Sequence, residues 1–519
     1  MIKKTKNVKH LIKGYKKLIK NSDLDKISQI QEKLSKENNL IKNKFLTSFF
    51  FPKNEDRNQV LINILLSKFG INKLREQLII SHSGKKFESP LPTLWLDILK
   101  NENYNVLKTK SVFRFYFKIF NYYIYGVYLL IIFNFHIFKN FFKKDLDNFC
   151  FFNNTQKFHF PNKKSESIYN LFNFCKKNIL SSNLKNVLYS GNEKFNLEKD
   201  KNTSFIQSEY PMILKLDFLG CISFFFHSIF LIFISLISLI CGSWWNLFML
   251  HEQPLRMIVD LKRKENLPSE VIFNLSDLYY RPLWTYNIEK KDSKIYMLWY
   301  STNNQANYKK DVQSNFFYDW SNINWPINVV WNIGQKEWLE RYIVSKKTLY
   351  FNYMWLSDYN FNIKINKNEK YLSVFNVPPF RISRYSIVNE DELDLHSIKN
   401  TMNFIENIIE LSDKMNFKVL LKNKRSFVKV HHPLYKNLLE RQTTKINIIN
   451  ENVSPIKMLE NSFASVNFPF TSTAYLSQNM NIPTCYYDPS GKIANFSFDK
   501  KITFNSSKKQ LQDWLKNIL

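Results

Sequence analysis

The sequence predicts an α/β protein built on parallel, doubly wound sheets. Two observations carry the prediction. Short apolar, β-branched runs alternate with helix-length segments, most cleanly from about residue 370 onward, and that alternation is the mark of βαβ units. Several of these runs end in polar turns, which is where an open sheet presents ligand groups. With 519 residues, of which 45% are hydrophobic, the chain can build two or three domains with a sizeable core.

Taken in order, residues 1–60 are strongly basic, and Leu11, Tyr15, Leu18 and Ile19 recur at helical spacing. This predicts either a solvated helical appendage or a helix lying on a membrane surface. From about residue 77 the α/β pattern begins. Gln77–Ser81 reads as a strand, and His82-Ser83-Gly84-Lys85-Lys86 as a loop too short for a dinucleotide fingerprint. Pro92–Asn101 reads as a helix and Tyr104–Leu107 as a second strand. Two apolar segments follow. Phe218–Ser243 holds no Asp, Glu, Lys or Arg; at about 1.5 Å per residue it is long enough for a bilayer core of roughly 30 Å. Val112–Phe138 is interrupted by Arg114, Lys118, Asn121, Asn134 and His136, so spanning and lying in the interface both stay open for it. If both segments span, the chain ends share one side, cytoplasmic by the positive-inside rule.

Residues 267–365 resume the strand pattern. Val271–Leu275 runs into Ser276-Asp277, and Ile295–Tyr300 into Ser301-Thr302-Asn303-Asn304. Beyond 370, Tyr371–Val377, Phe417–Leu421, Ile446–Ile449 and Ala464–Phe468 read as strands. Leu393–Met415, Pro455–Ser462 and Leu511–Leu519 read as helices, the second with Ser454 as N-cap and Pro455 at its first position. The expected organisation is a basic helical region over 1–60 and a Rossmann-like domain over 61–365 carrying a membrane-associated insert at about 112–243. A second Rossmann-like domain covers 366–519.

The formal net charge of +30 calls for an anionic partner: nucleic acid, a phosphorylated substrate or an anionic membrane. The basic residues are spread along the chain and no zinc finger or RNA-recognition signature is present, which favours membrane plus phosphorylated substrate over nucleic acid. Five scattered cysteines without a Cys-x-x-Cys pair argue against a disulfide framework or a zinc site. The basic start Met1–Lys6 has no apolar core behind it, so no secretory signal peptide is expected.

The most informative stretch is Asn467-Phe468-Pro469-Phe470-Thr471-Ser472-Thr473-Ala474, between the strand Ala464–Phe468 and a helix over Ala474–Met480. Thr471, Ser472 and Thr473 are expected at the helix N-terminus, where free N–H groups favour an anion; ordinary N-capping is the plainer alternative. His431-His432-Pro433 follows the short strand Val428–Val430, and either histidine could donate to a phosphate or ribose or simply face solvent. Lys422, Lys424 and Arg425 follow a strand end and could clamp a phosphate, with Lys429 a weaker candidate; a solvated basic face is the alternative. Asp488 is either a cleft residue or a turn former before Pro489. A general base is expected from the N-terminal half. Asp277 is named for its place after a strand, with Glu252 and His82 behind it.

Pro469-Phe470-Thr471-Ser472, with Thr473-Ala474 and then Tyr486-Tyr487-Asp488-Pro489, resembles the signature of the bacterial polysaccharide-biosynthesis proteins named for a PFTS motif. More distantly, the pairing of a His-Pro element with a Ser/Thr element is similar to bacterial sialyltransferases and Kdo transferases. The resemblance is specific over about 370–495. It implies a GT-B-like glycosyltransferase of surface carbohydrates, with two Rossmann-like domains facing a cleft. It also implies a nucleotide-sugar donor, a CMP-sugar among the candidates, and a polysaccharide or lipid-linked acceptor at the cytoplasmic face of the plasma membrane. Neither a metal nor a separate cofactor is expected. His432, which directly precedes Pro433, is the closer match to the His-Pro element. The same architecture is similar to that of polyol-phosphate (CDP-glycerol-type) transferases, and a non-catalytic membrane-associated assembly protein remains a third reading.

Overall fold

The computed structural model describes the chain apart from residues 1, 22, 38, 42–43, 53–54, 70, 157–158, 162–169, 192–202, 275–279, 300–322, 344–346, 352–362, 364, 367, 380–396, 424–430, 442–445, 451–452 and 494–501. Helices open the chain: α1 (Ile2–Lys20), α2 (Leu24–Ser35), α3 (Lys44–Thr47), α4 (Arg57–Phe69), α5 (Ile71–Ser81), α6 (Thr93–Asn101) and α7 (Lys108–Lys139). They are followed by β1 (Phe149–Asn153), α8 (Leu171–Asn178), β2 (Asn186–Tyr189) and β3 (Ser204–Gln207). Next come α9 (Phe218–Ile240), α10 (Trp244–Met249), a 3-10 turn (Leu250–Glu252) and α11 (Gln253–Leu261). The first half then closes with β4 (Glu270–Phe273), α12 (Leu283–Glu289), β5 (Lys294–Leu298), β6 (Ile327–Val330), α13 (Ile333–Tyr342) and β7 (Lys347–Tyr350).

Strands β1 to β7 form one parallel sheet in the order β3-β2-β1-β4-β5-β6-β7. The chain starts in the middle, builds outward to β3 and returns to the other side of β1, so the order reverses between β1 and β4. The apolar helices α7 and α9 are where the sequence placed them, and β1, β2 and β3 lie between them in the chain.

The second half contributes β8 (Tyr371–Asn376), α14 (Ile398–Met415), β9 (Lys418–Asn423), α15 (Pro433–Arg441), β10 (Ile446–Ile448) and α16 (Pro455–Leu459). It ends with β11 (Ala464–Asn467), α17 (Thr473–Asn479), β12 (Thr484–Tyr487), β13 (Thr503–Asn505) and α18 (Lys508–Lys516). Its sheet is also parallel throughout, in the order β10-β9-β8-β11-β12-β13, and reverses between β8 and β11. Strands β8, β11 and β12 are buried along their whole lengths, as parallel strands covered by helices on both faces must be. Ser454 caps α16 as expected, its hydroxyl accepting from the Ile456 N–H at 3.2 Å. The α/β, doubly wound, two-sheet architecture is thus the expected one.

The beginning differs from expectation. Gln77–Ser81 is the last part of helix α5, and Tyr104–Leu107 contributes only an isolated parallel bridge between Val106 and Phe87. The run Leu78-Ile79-Ile80 is too short to separate the two periods. What decides it is α1, packed so closely that a Cβ on Gly14 would lie 2.0 Å from the Ile79 carbonyl oxygen. The basic region is correspondingly no appendage: Leu11, Leu18, Ile27 and Leu34 are fully buried in the core shared with α4 to α7.

Tyr475 of α17 joins the apolar cluster of the first sheet with Phe152 and Trp331, and the Asn332 amide donates to its hydroxyl at 2.6 Å. Asn332 follows the carboxyl end of β6, and α17 follows the carboxyl end of β11. The carboxyl edges of the two sheets therefore meet here.

Candidate functional site

In an open parallel sheet, ligands bind outside the carboxyl ends of the strands, where the strand order reverses. In the second sheet that point lies between β8 and β11, and two sequence-predicted elements converge on it. The Phe468 N–H, just past β11, donates to the Phe375 carbonyl of β8 at 2.8 Å. The His432 N–H donates to the carbonyl of Pro379, three residues past β8, at 2.8 Å. The hydroxyl turn and the His-Pro element are thus both fastened to the end of the same central strand.

The turn 468–472 is held by its own side chains. The Thr471 hydroxyl donates to the Phe468 carbonyl (2.9 Å), and the Thr473 hydroxyl to Asn467 Oδ1 (2.6 Å). Asn467 is oriented from below by a buried network, its Nδ2 donating to Ser465 Oγ (3.1 Å) and Thr484 Oγ1 (3.0 Å). Tyr486 Oη donates to the Thr471 carbonyl at 3.0 Å. Phe470 has φ +63°, the left-handed region that an aromatic residue rarely enters; such backbone persists only when its surroundings over-determine it, as those bonds do. Ser472 is the helix-entry residue, half-buried and making no capping bond with its side chain. Thr471 and Thr473 therefore shape the turn that leads into α17 at Ser472.

His431 is buried and His432 half-exposed; His432 Nδ1 accepts from the Leu434 N–H at 3.3 Å, capping α15. That bond puts the proton of the neutral ring on Nε2, the nitrogen that a ligand oxygen would meet. Lys422 is half-exposed near the end of β9, its Nζ 3.4 Å from the Asn450 carbonyl. Lys424, Arg425, Lys429, the strand expected at Val428–Val430 and Asp277 lie outside the described residues. Asp488 takes the turn-forming option. It is fully buried, Oδ1 accepting from the Ser490 N–H (2.9 Å) and hydroxyl (2.6 Å), Oδ2 from the Ile493 N–H (3.1 Å).

Of the alternative bases, His82 ends a helix rather than a strand, with Nε2 2.9 Å from Tyr104 Oη, and burial lowers its pKa. The Glu252 carboxylate accepts from the Leu283 N–H (3.2 Å) and Tyr280 Oη (3.3 Å), tying the 3-10 turn to α12. Glu252 thus holds the connection between the carboxyl end of β4 and α12, whereas His82 packs among the opening helices. The chain also contains two Asp-x-Asp sequences, Asp23-Leu24-Asp25 and Asp145-Leu146-Asp147. The first opens α2 and the second precedes the amino end of β1, where Lys262 donates to Asp145 at 2.6 Å.

The structure adds residues that the motifs did not single out. Asparagines stand at or just past the carboxyl ends of β1 (Asn153), β4 (Asn274), β6 (Asn332), β8 (Asn376), β9 (Asn423) and β11 (Asn467). Asn376 donates to Tyr435 Oη (2.8 Å), which donates to Asn423 Oδ1 (2.6 Å), fixing the ends of β8 and β9 against α15. At the reversal point of the first sheet, Asn274 lies beside buried His159. His159 Nδ1 accepts from the Gln156 N–H at 3.0 Å, so Nε2 carries the proton and faces the Asn274 amide at 3.2 Å. Asn274 Oδ1 otherwise finds no partner among the described residues, so the amide oxygen belongs toward the ring. Burial pushes the His159 pKa down to about 3, and the imidazole is a neutral, fixed donor.

A family model described as "Polysaccharide biosynthesis PFTS motif protein" matches residues 199–515, more than half of the chain. Comparison with curated proteins gives no significant match. Solved structures give loose likenesses. UDP-GlcNAc 2-epimerase from Methanocaldococcus jannaschii aligns over 72% of this chain and 92% of its own, at 10% identity and a TM-score of 0.33. A variant of the wall teichoic acid polymerase TagF aligns over 78% and 88%, at 9% identity and 0.34. A trehalose-6-phosphate synthase aligns over 72% and 90%, at 9% identity and 0.33.

Proposed function

The chain belongs to the polysaccharide biosynthesis PFTS motif family, and from that premise we propose that it is a membrane-associated glycosyltransferase. It moves a sugar from a nucleotide donor to a growing surface polysaccharide or a lipid-linked acceptor on the cytoplasmic face of the membrane. One observation carries the reading: the PFTS turn and the His-Pro element are both hydrogen-bonded to the end of β8, at the reversal point of the second sheet. The nucleotide phosphate sits there, taking hydrogen bonds from Ser472 and from His432 Nε2–H. Lys422 adds positive charge at the end of β9, with Lys424 and Arg425, next in sequence, as further candidates, and Thr471 and Thr473 keep the turn in shape.

In the transfer, the bond between the anomeric carbon and the donor phosphate breaks and a bond to an acceptor hydroxyl oxygen forms. The nucleotide leaves with the bonding pair, so negative charge grows on its phosphate, and donors aimed at that oxygen lower the barrier. The acceptor proton goes to a base from the facing sheet edge; Asp277, in the segment after β4, is the proposed base. Asn274 and the neutral His159 line the same edge as positioning groups.

The test is thermal stabilisation of the detergent-solubilised chain by CMP, CDP, UDP, GDP and CMP-sugars. At a ligand concentration of 100 Kd the bound state gains about 2.7 kcal/mol. One nucleotide should stabilise the wild type and lose most of its effect with Ser472→Ala or His432→Ala. Asp277→Asn should keep the shift and lose turnover. No shift with any nucleotide would overturn the transferase reading.

A further inference from the structure

The helices α7 and α9 carry the largest exposed apolar surface among the described residues, and its layout says how it is used. On α7, Phe113, Phe117, Phe120, Ile124, Ile131 and Phe135 are each more than half exposed. They recur at three-, four- and seven-residue spacing, which places them in one stripe down the helix. The buried stripe opposite, from Ser111 to Ile137, is equally long. Between the two runs a third line, Arg114, Lys118, Asn121, Tyr125, His136 and Lys139, at spacings of four, three, four, eleven and three residues. The cations themselves fall toward the two ends, with no Asp, Glu, Lys or Arg between Lys118 and Lys139, so what separates spanning from lying flat is the protein packed beside the helix.

The body of the protein lies alongside α7 from end to end. Lys110 reaches Glu88 at 2.5 Å near the start. At the middle, a Cβ on Gly126 would come within 2.9 Å of the His251 backbone nitrogen. Near the end, Phe133 packs on Tyr210, with ring centroids 4.9 Å apart, and Asn140 donates to the Leu214 carbonyl at 3.2 Å. Glu252 and Arg256 follow immediately, bonded to α12 and to the Phe49 carbonyl. An upright α7 would draw these charged groups into the hydrocarbon, where they are costly. The second helix, α9, packs beside it, Asn134 donating to Ser228 Oγ at 3.3 Å, and turns Leu219, Phe226, Phe233 and Ile240 outward.

We propose that α7 and α9 form a monotopic seat: both lie in the plane of one leaflet of an anionic phospholipid bilayer, apolar stripes inward and the Arg114–Lys139 flank at the headgroups, without crossing it. The net charge of +30 and the flank cations supply the complementarity to anionic lipid. The inference deepens the membrane attachment in the proposed function but is independent of nucleotide binding.

The test places single fluorescent thiol labels at Phe113→Cys, Ile124→Cys and Phe135→Cys, with half-buried Cys221 and exposed Cys241 changed to Ser, in full-length protein on vesicles of phosphatidylglycerol and phosphatidylcholine. Quenching by lipids carrying nitroxides at graded depths should put all three labels at one depth, about 5–10 Å below the headgroup boundary. A central label near the midplane, about 15 Å down, between two shallow ends would mean a span and overturn the proposal. A second variant, Phe117→Glu/Ile124→Glu/Ile131→Glu, should lose vesicle binding at least tenfold while keeping its nucleotide-induced stabilisation, which separates this proposal from the transferase reading. Wild-type protein that ignores phosphatidylglycerol vesicles, or that buries the face by self-association instead, would also overturn it.

Discussion

Replacing Asp488 by alanine separates a turn-forming carboxylate from a ligand-binding one. In the folded chain it accepts three hydrogen bonds and is fully buried. The two donors on Ser490 are half-exposed and can turn to water, but the Ile493 N–H belongs to a residue only 1% exposed. Leaving that donor unpaired costs about 1–3 kcal/mol, and hydrogen bonds to a charged acceptor are worth about 1.5–3 kcal/mol. The terms overlap, so a loss of about 3 kcal/mol is expected, or roughly 6–12 °C for a domain of this size. Asp488→Asn should recover little, because its amide can serve Ser490 only by setting an NH2 against the Ile493 N–H. Because a chain with two sheets need not melt in one step, the readout is hydrogen exchange of the peptide 484–493 beside the thermal melt. Nucleotide affinity, measured well below the melting point, should stay within about twofold of wild type. A variant with wild-type exchange and melting but no nucleotide binding would refute the reasoning and put the carboxylate in the cleft.

Three further outcomes are expected. Because burial takes the His159 pKa from 6.5 to about 3, the unfolded chain binds a proton that the folded chain refuses between those values. Stability should therefore fall as pH drops below about 6.5, by up to about 1.4 kcal/mol per pH unit, and His159→Gln should flatten that slope in melts between pH 7 and 5; equal slopes would count against it. Tyr475→Phe leaves the buried Asn332 amide without its 2.6 Å acceptor, so a loss of about 1–3 kcal/mol and faster exchange in both 331–335 and 473–479 should follow, whereas a change on one side only would deny that the contact couples the sheets. Gly126→Ala forces a methyl to within 3.0 Å of the backbone at Leu250 and His251; overpacking of this kind costs about 1–3 kcal/mol, visible as a lower denaturation midpoint, and an unchanged midpoint would mean that the 3-10 turn gives way freely.

The second sheet was legible because its central strands are buried on both faces and so read as continuous apolar runs, with Pro and Ser marking where α16 begins. The first residues were not. Leu78-Ile79-Ile80 fits a strand or a helix equally, and only the approach of α1 through Gly14 decides between them. No local pattern reports a contact made across some sixty residues of chain.

The site divides in the same way. The PFTS stretch is visible in the sequence, where its hydroxyls fit either anion contacts or local capping; in the structure two of the three hydroxyls turn inward to hold the turn. Thr473 bonds to Asn467, which is itself oriented by Ser465 and Thr484, so part of the motif encodes the shape that holds Phe470 at φ +63°. The asparagines at the strand ends went unnoticed for a different reason. Asparagine is common throughout this chain, and nothing local separates Asn376 or Asn467 from the rest. What singles them out is that two parallel sheets bring the ends of β1, β4, β6, β8, β9 and β11 to edges that meet at Asn332 and Tyr475. A short amide side chain at a strand end can hold a neighbouring hydroxyl and stay neutral, so such a rim can fix the loops around an anionic donor without adding a negative charge that would repel it.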